Sequence, residues 1–147
     1  MIPGVEIKQL TTHQDDRGFF REIIRASDPF FDGFGQLSDS MKKQDYFTPE
    51  FHIHQHQTDW WYVPTGTIRA VLCDLREETD KHEFQKIMMG VKFPVVLKIP
   101  PGVAHGFKVL LGPAHLIYVT SREYDRDDEG RVILDYDWNR PHIDSRQ

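Results

Sequence analysis

Short runs of β-branched and aromatic residues, each closed off by turn-forming residues, recur along this chain and leave little room for helix. Residues 19–24, 60–63, 67–72, 95–99 and 114–119 have strand composition, whereas apolar residues at helical spacing are scarce. Between these runs stand Asp16-Arg17-Gly18, Pro64-Thr65-Gly66, Pro100-Pro101-Gly102 and Leu111-Gly112-Pro113, residue types that favour chain reversal. Residues 28–35 read as an irregular loop or one short helical turn. This rhythm predicts an all-β barrel or sandwich. A length of 147 residues predicts a single domain, 1–147, large enough to bury a core.

Charge and composition exclude several functions. A formal net charge of −5, with no basic stripe to offset it, argues against binding nucleic-acid phosphate. Neither a signal-peptide pattern nor an apolar run of membrane-spanning length is present, so no membrane contact and a cytoplasmic location are expected. Cys73 is the single cysteine and lies in an apolar run, which predicts a core thiol rather than a reactive one.

The polar chemistry concentrates in Phe51-His52-Ile53-His54-Gln55-His56-Gln57-Thr58-Asp59 and in Pro100-Pro101-Gly102-Val103-Ala104-His105. Alternation along a strand would turn His52, His54 and His56 to one face. Burying several such groups without partners would cost roughly 1–3 kcal/mol each, so they mark a polar pocket or a metal site. In the metal reading His52, His54, Asp59 and His105 hold a divalent ion; their spacing resembles the two cupin motifs, with Gly66 as the trailing glycine and Asp59 where glutamate is usual. In the metal-free reading one imidazole is a general base, since an ordinary pKa of about 6.5 lets it exchange protons at neutral pH. Tyr118 is then a candidate phenolic acid. Trp60 and Tyr62 should share one face and Trp61 the other, which assigns at least one of them to the core. The charged run at 124–131 reads as a solvated loop, and residues 137–141 as an arm or a partner contact.

Further residues carry a resemblance across positions 4 to about 137. Gly4-Val5-Glu6-Ile7, Asp16-Arg17-Gly18-Phe19-Phe20-Arg21-Glu22, Gln36 with Ser38 and Ser40, Asp74-Leu75-Arg76, the segment from Ile99 to Phe107, Tyr118, Tyr124 and Glu129-Gly130 together resemble the dTDP-4-dehydrorhamnose 3,5-epimerase family. The resemblance implies a cupin-type jelly-roll barrel, assembled as a homodimer, that binds a nucleotide-linked 4-keto-6-deoxy sugar and inverts carbons beside the ketone without metal or other cofactor. It also implies roles: His52 as base, Tyr118 as proton donor, and Arg17, Phe20, Glu22, Gln36, His54, Asp59, His105 and Glu129 as substrate-binding positions. Arg17, Phe20 and Glu22 would serve a neighbouring subunit's pocket.

The chain departs from that family pattern at specific positions. Pro49 stands in place of a ligand-contacting arginine, His54 of a glutamine, Ser38 of an asparagine, and Asp59 of the lysine that steadies an enolate. The aspartate that orients the catalytic histidine has no counterpart in the pattern, and Asp59, Asp135 or Asp137 could substitute for it. These departures keep two other readings open, a metal-binding cupin and a non-catalytic nucleotide-sugar binder.

Overall fold

A computed structural model describes residues 1–140 and shows strands β1 (Glu6–Gln9), β2 (His13–Asp15), β3 (Gly18–Phe20), β4 (Gln36–Lys42), β5 (Phe51–Ile53), β6 (Asp59–Asp74), β7 (Phe84–Gly90), β8 (Val95–Ile99), β9 (Val103–Thr120) and β10 (Gly130–Val132). A single 3-10 turn, Arg126–Asp128, is the one helical element among the described residues. The all-β expectation holds, and no helix is long and apolar enough to cross a membrane.

The two long strands organise everything else. β6 and β9 pair antiparallel from Asp59↔Thr120 to Asp74↔Val103, with register shifts between Tyr62 and Ile68. β8 and β7 flank β6, β1 extends β8, and β4, β5 and β10 complete the sheet on the β9 side. Alternation then sorts the side chains. On β6 and β9, Trp61, Val63, Ile68, Ala70, Leu72, Val103, Phe107 and Val109 join the main core cluster. Trp60 turns the other way and packs with Phe30 and Val96, with Tyr62 beside it, as alternation requires. Cys73 is buried in a third cluster with Phe51, Val71 and Trp138, and burial pushes its thiol pKa up, away from reactivity.

Two sequence expectations fail at the bends. Pro64-Thr65-Gly66 and Leu111-Gly112-Pro113 are not turns between strands: they lie inside β6 and β9, opposite one another. The register slips between Tyr62 and Ile68, so these turn formers serve as bulges that bend a continuous ladder. Gly66 adopts φ +79°, and a Cβ there would stand 2.6 Å from the Leu111 carbonyl oxygen.

The strand expected over 19–24 is also shorter. β3 stops at Phe20 and pairs only with β2 in a separate exposed ribbon. Beyond it, the Arg21 guanidinium donates to Thr12 Oγ1 and the Tyr62 hydroxyl, while Ile23 and Ile24 pack against the Trp60 cluster. These side-chain anchors replace the ladder. At the other end, Trp138 is buried on the chain's own core rather than displayed on an arm. Buried Arg69 donates to the Trp138 and Arg140 carbonyl oxygens and ties the segment down. Pro141, the last residue of that expected arm, lies outside the described residues.

Candidate functional site

One cavity of about 250 Å3 lies where β4, β5, β6 and β9 converge. Gln36, His52, His54, Asp59, His105, Tyr118 and Glu129 all line it, with Trp61, Phe107 and Leu116 as apolar wall. Registers explain the convergence. Gln36 faces Thr120, Ser40 faces Leu116, and Trp61 faces Tyr118, so every second residue of three adjacent strands points inward. His52 faces His105 across the β5–β9 pair.

His52 and His54 share the cavity, but His56 does not; it is exposed. The strand ends at Ile53 because backbone partners pull the chain aside. The His54 carbonyl accepts from Gly102 N at 2.8 Å, and the Asp128 carboxylate accepts from Gln55 N at 2.7 Å and His56 N at 3.2 Å. Asp128 is therefore buried, so the expectation of a solvated loop at 124–131 holds for the exposed residues 124–127 and Arg131 but not for Asp128. That loop also brings Tyr124, Asp125 and Glu129 to the cavity, then returns as β10 beside β5. Single charged residues that anchor a loop carry no periodic signal, so nothing in the sequence marked Asp128.

Protons in the site are set by neighbours. Burial holds the half-buried His52 below the usual imidazole range, with the Arg131 charge adding to it and Glu129 opposing. His52 is thus neutral and able to accept a proton at neutral pH. His105 is almost fully buried and its pKa is pushed down to about 4, chiefly by desolvation, against an opposing pull from Asp59. Its Nδ1 stands 3.0 Å from the Val103 carbonyl oxygen, and His54 Nδ1 stands 3.0 Å from the Asp128 carbonyl oxygen. A carbonyl only accepts, so both Nδ1 atoms carry hydrogen and each Nε2 is the ring nitrogen not engaged by the backbone. Glu129 accepts from the Tyr124 hydroxyl at 2.7 Å, the main reason its carboxyl pKa is lowered.

Asp59 is buried and bonded on both oxygens, accepting from Gln57 Nε2 at 2.7 Å and from Trp61 Nε1 at 3.2 Å. Of the four residues in the metal reading, His54, Asp59 and His105 form a tight group, with one donor atom from each within 4.8 Å of the others. His52 stands outside that group; its ring centre is 6.3 Å from that of His105.

Arg17, Phe20 and Glu22 lie on or beside the β2–β3 ribbon, exposed, and do not line this chain's cavity. Arg17 pairs with Asp15 at 2.6 Å.

An all-β barrel with motif histidines lining one cavity defines a cupin-type protein. The sequence from 1 to 144 matches the dTDP-4-dehydrorhamnose 3,5-epimerase family, and the chain belongs to that family of nucleotide-sugar epimerases. Its similarity to the spore coat polysaccharide biosynthesis protein SpsL of Bacillus subtilis (strain 168) is 43% identity, covering 95% of this chain and 97% of that protein. The crystal structure of dTDP-4-dehydrorhamnose 3,5-epimerase from Sulfolobus tokodaii superposes with a TM-score of 0.83 at 25% identity, covering 93% of this chain and 82% of that one. The Legionella pneumophila Philadelphia 1 epimerase RmlC in complex with dTDP-4-keto-L-rhamnose shares the fold, with a TM-score of 0.77 at 24% identity and coverage of 89% and 73%.

Proposed function

We propose that this protein epimerises a nucleotide-linked 4-keto-6-deoxy sugar for polysaccharide synthesis, with His52 as the base and Tyr118 as the acid. The observation that carries this reading is that both side chains line one cavity, on different strands. A ketone acidifies the C–H beside it. The neutral His52 removes that proton, the electrons pass to the ketone oxygen as an enolate, and the Tyr118 hydroxyl returns a proton to the other face of the carbon. Inversion needs two groups on opposed sides of the ring, which one residue cannot supply. Gln36, His54, Asp59, His105 and Glu129 would then bind and orient the substrate.

The family, the polysaccharide role in the name of SpsL, and the keto-sugar bound by the Legionella enzyme all support this substrate class. Arg17, Phe20 and Glu22 would contribute from a second copy of the chain. The exposed ribbon, with Phe19 and Phe20 uncovered, is suited to reach a homodimer partner.

Incubation with dTDP-4-keto-6-deoxyglucose in heavy water tests the reaction. Deuterium should enter the carbon beside the ketone in the wild type and not in His52→Ala. No exchange with any thymidine-, uridine-, cytidine- or guanosine-diphosphate keto-sugar would overturn the reading.

A further inference from the structure

His54, Asp59 and His105 are arranged as ligands rather than as hydrogen-bonding partners of one another. His105 Nε2 is 3.9 Å from Asp59 Oδ2, too far for a hydrogen bond, although both side chains are almost fully buried. Each imidazole is instead fixed from behind. The Val103 and Asp128 carbonyl oxygens take the Nδ1 hydrogens of His105 and His54, and this choice of tautomer leaves each Nε2 with a lone pair. A backbone carbonyl behind a histidine is the support that metal-bound imidazoles commonly have. The carboxylate is supported in the same manner, by Gln57 and by the indole N–H of Trp61.

Charge points the same way. Asp59 is only 4% exposed, and among the described residues no lysine or arginine nitrogen lies within 4.0 Å of its carboxylate. A buried carboxylate without a cation is costly, and two hydrogen bonds from neutral donors offset only part of that cost.

We propose that His54, Asp59 and His105 bind a divalent first-row transition metal through two imidazole nitrogens and one carboxylate oxygen. Two nitrogens and one oxygen suit zinc, iron, manganese, cobalt or nickel, whereas calcium and magnesium prefer all-oxygen sites. Bonds of about 2.0–2.2 Å bring such ligands to roughly 3–3.5 Å from one another, so binding draws all three side chains inward, His105 and Asp59 from 3.9 Å and the group as a whole from within 4.8 Å. Three protein ligands leave the metal with a coordination position open to the cavity that His52 and Tyr118 share. Resting on the epimerase reading, His54, Asp59 and His105 would then act on the substrate through the cation, which would supply positive charge in a site where the family's lysine is replaced by Asp59.

Untagged protein, purified without chelator, is assayed for metal by mass spectrometry. It is then stripped and titrated with cobalt(II), read by visible absorption. Close to one equivalent is expected. His54→Gln and the near-isosteric Asp59→Asn should each weaken cobalt binding at least about tenfold, while His115→Ala, on the outer surface, should not. Far-UV circular dichroism confirms that each variant is folded. Stripped wild-type protein that gives no cobalt spectrum overturns the site, as does undiminished cobalt binding in folded His54→Gln. Deuterium exchange on the same samples separates the two claims. Exchange without any metal binding removes the site and keeps the epimerase, whereas metal binding without exchange does the reverse.

Discussion

Asp59 Oδ2 stands 3.9 Å from His105 Nε2 across the cavity, although in the β6–β9 ladder Asp59 pairs with Thr120 and His105 with Leu72. The imidazole is kept neutral by burial, which outweighs the pull of the carboxylate.

That relationship makes the metal-free fold acid-sensitive. The His105 pKa is about 4 in the folded chain and about 6.5 when the chain unfolds, so below pH 6.5 the unfolded state binds more protons. Stability is fully present above pH 6.5 and should fall as pH drops towards 4, by an amount on the order of 3 kcal/mol. His52, also lowered, adds in the same direction. Urea melts of chelator-treated protein at stepped pH should show the midpoint falling across this window. In His105→Gln the fall should be visibly smaller.

His52→Gln should reduce deuterium exchange by about 10²–10⁴-fold, the usual worth of a positioned base. Tyr118→Phe should reduce full epimerisation by a similar factor while leaving more of the exchange, because proton removal by His52 survives. Since burial lowers the His52 pKa, the acid limb of kcat/KM should lie below pH 6.5. An acid limb above 6.5 would assign the base to another group.

Much of the cavity is legible in the sequence because strand alternation carries it. Gln36, His52, Asp59, His105, Tyr118 and Glu129 are far apart along the chain, yet motif spacing and family order point to all of them, and all line one hollow. What fails is continuity. Proline and glycine at 64–66 and 111–113 have the composition of turns, and only pairing between β6 and β9 at long range turns them into bulges. His56 breaks the alternation for a similar reason: Asp128, 72 residues away, captures its backbone N–H. β7 has no counterpart among the turn-bounded runs of the sequence, although its Ile87 and Met89 join the core beside β6.

Gly66→Ala tests the bulge. At φ +79° a side chain is strained, and the new Cβ would meet the Leu111 and Pro113 carbonyl oxygens and the Ala114 Cα at 2.6–2.7 Å, all backbone atoms. A loss of about 1–3 kcal/mol or more is expected, measured by urea denaturation. Gly33→Ala is the control: nothing lies within 4 Å of a Cβ there, and its φ is not in the left-handed region. It should leave the midpoint nearly unchanged.

Asp128 connects loop to site, and its substitution should separate two effects. Asp128→Ala strips the acceptor from Gln55 N and His56 N, leaving donors that the folded loop had satisfied, at a cost of about 1–3 kcal/mol. The Asp128 carbonyl that holds His54 Nδ1 is backbone and survives the substitution, but the turn that positions it loosens. Asp128→Asn keeps one oxygen acceptor and should lose less than half as much stability. Both variants should weaken cobalt binding more than they slow deuterium exchange, because His54 depends on this loop. His52, held in β5 between β9 and β10, depends on it less. Equal losses in the two readouts would show that the loop supports the whole cavity rather than His54.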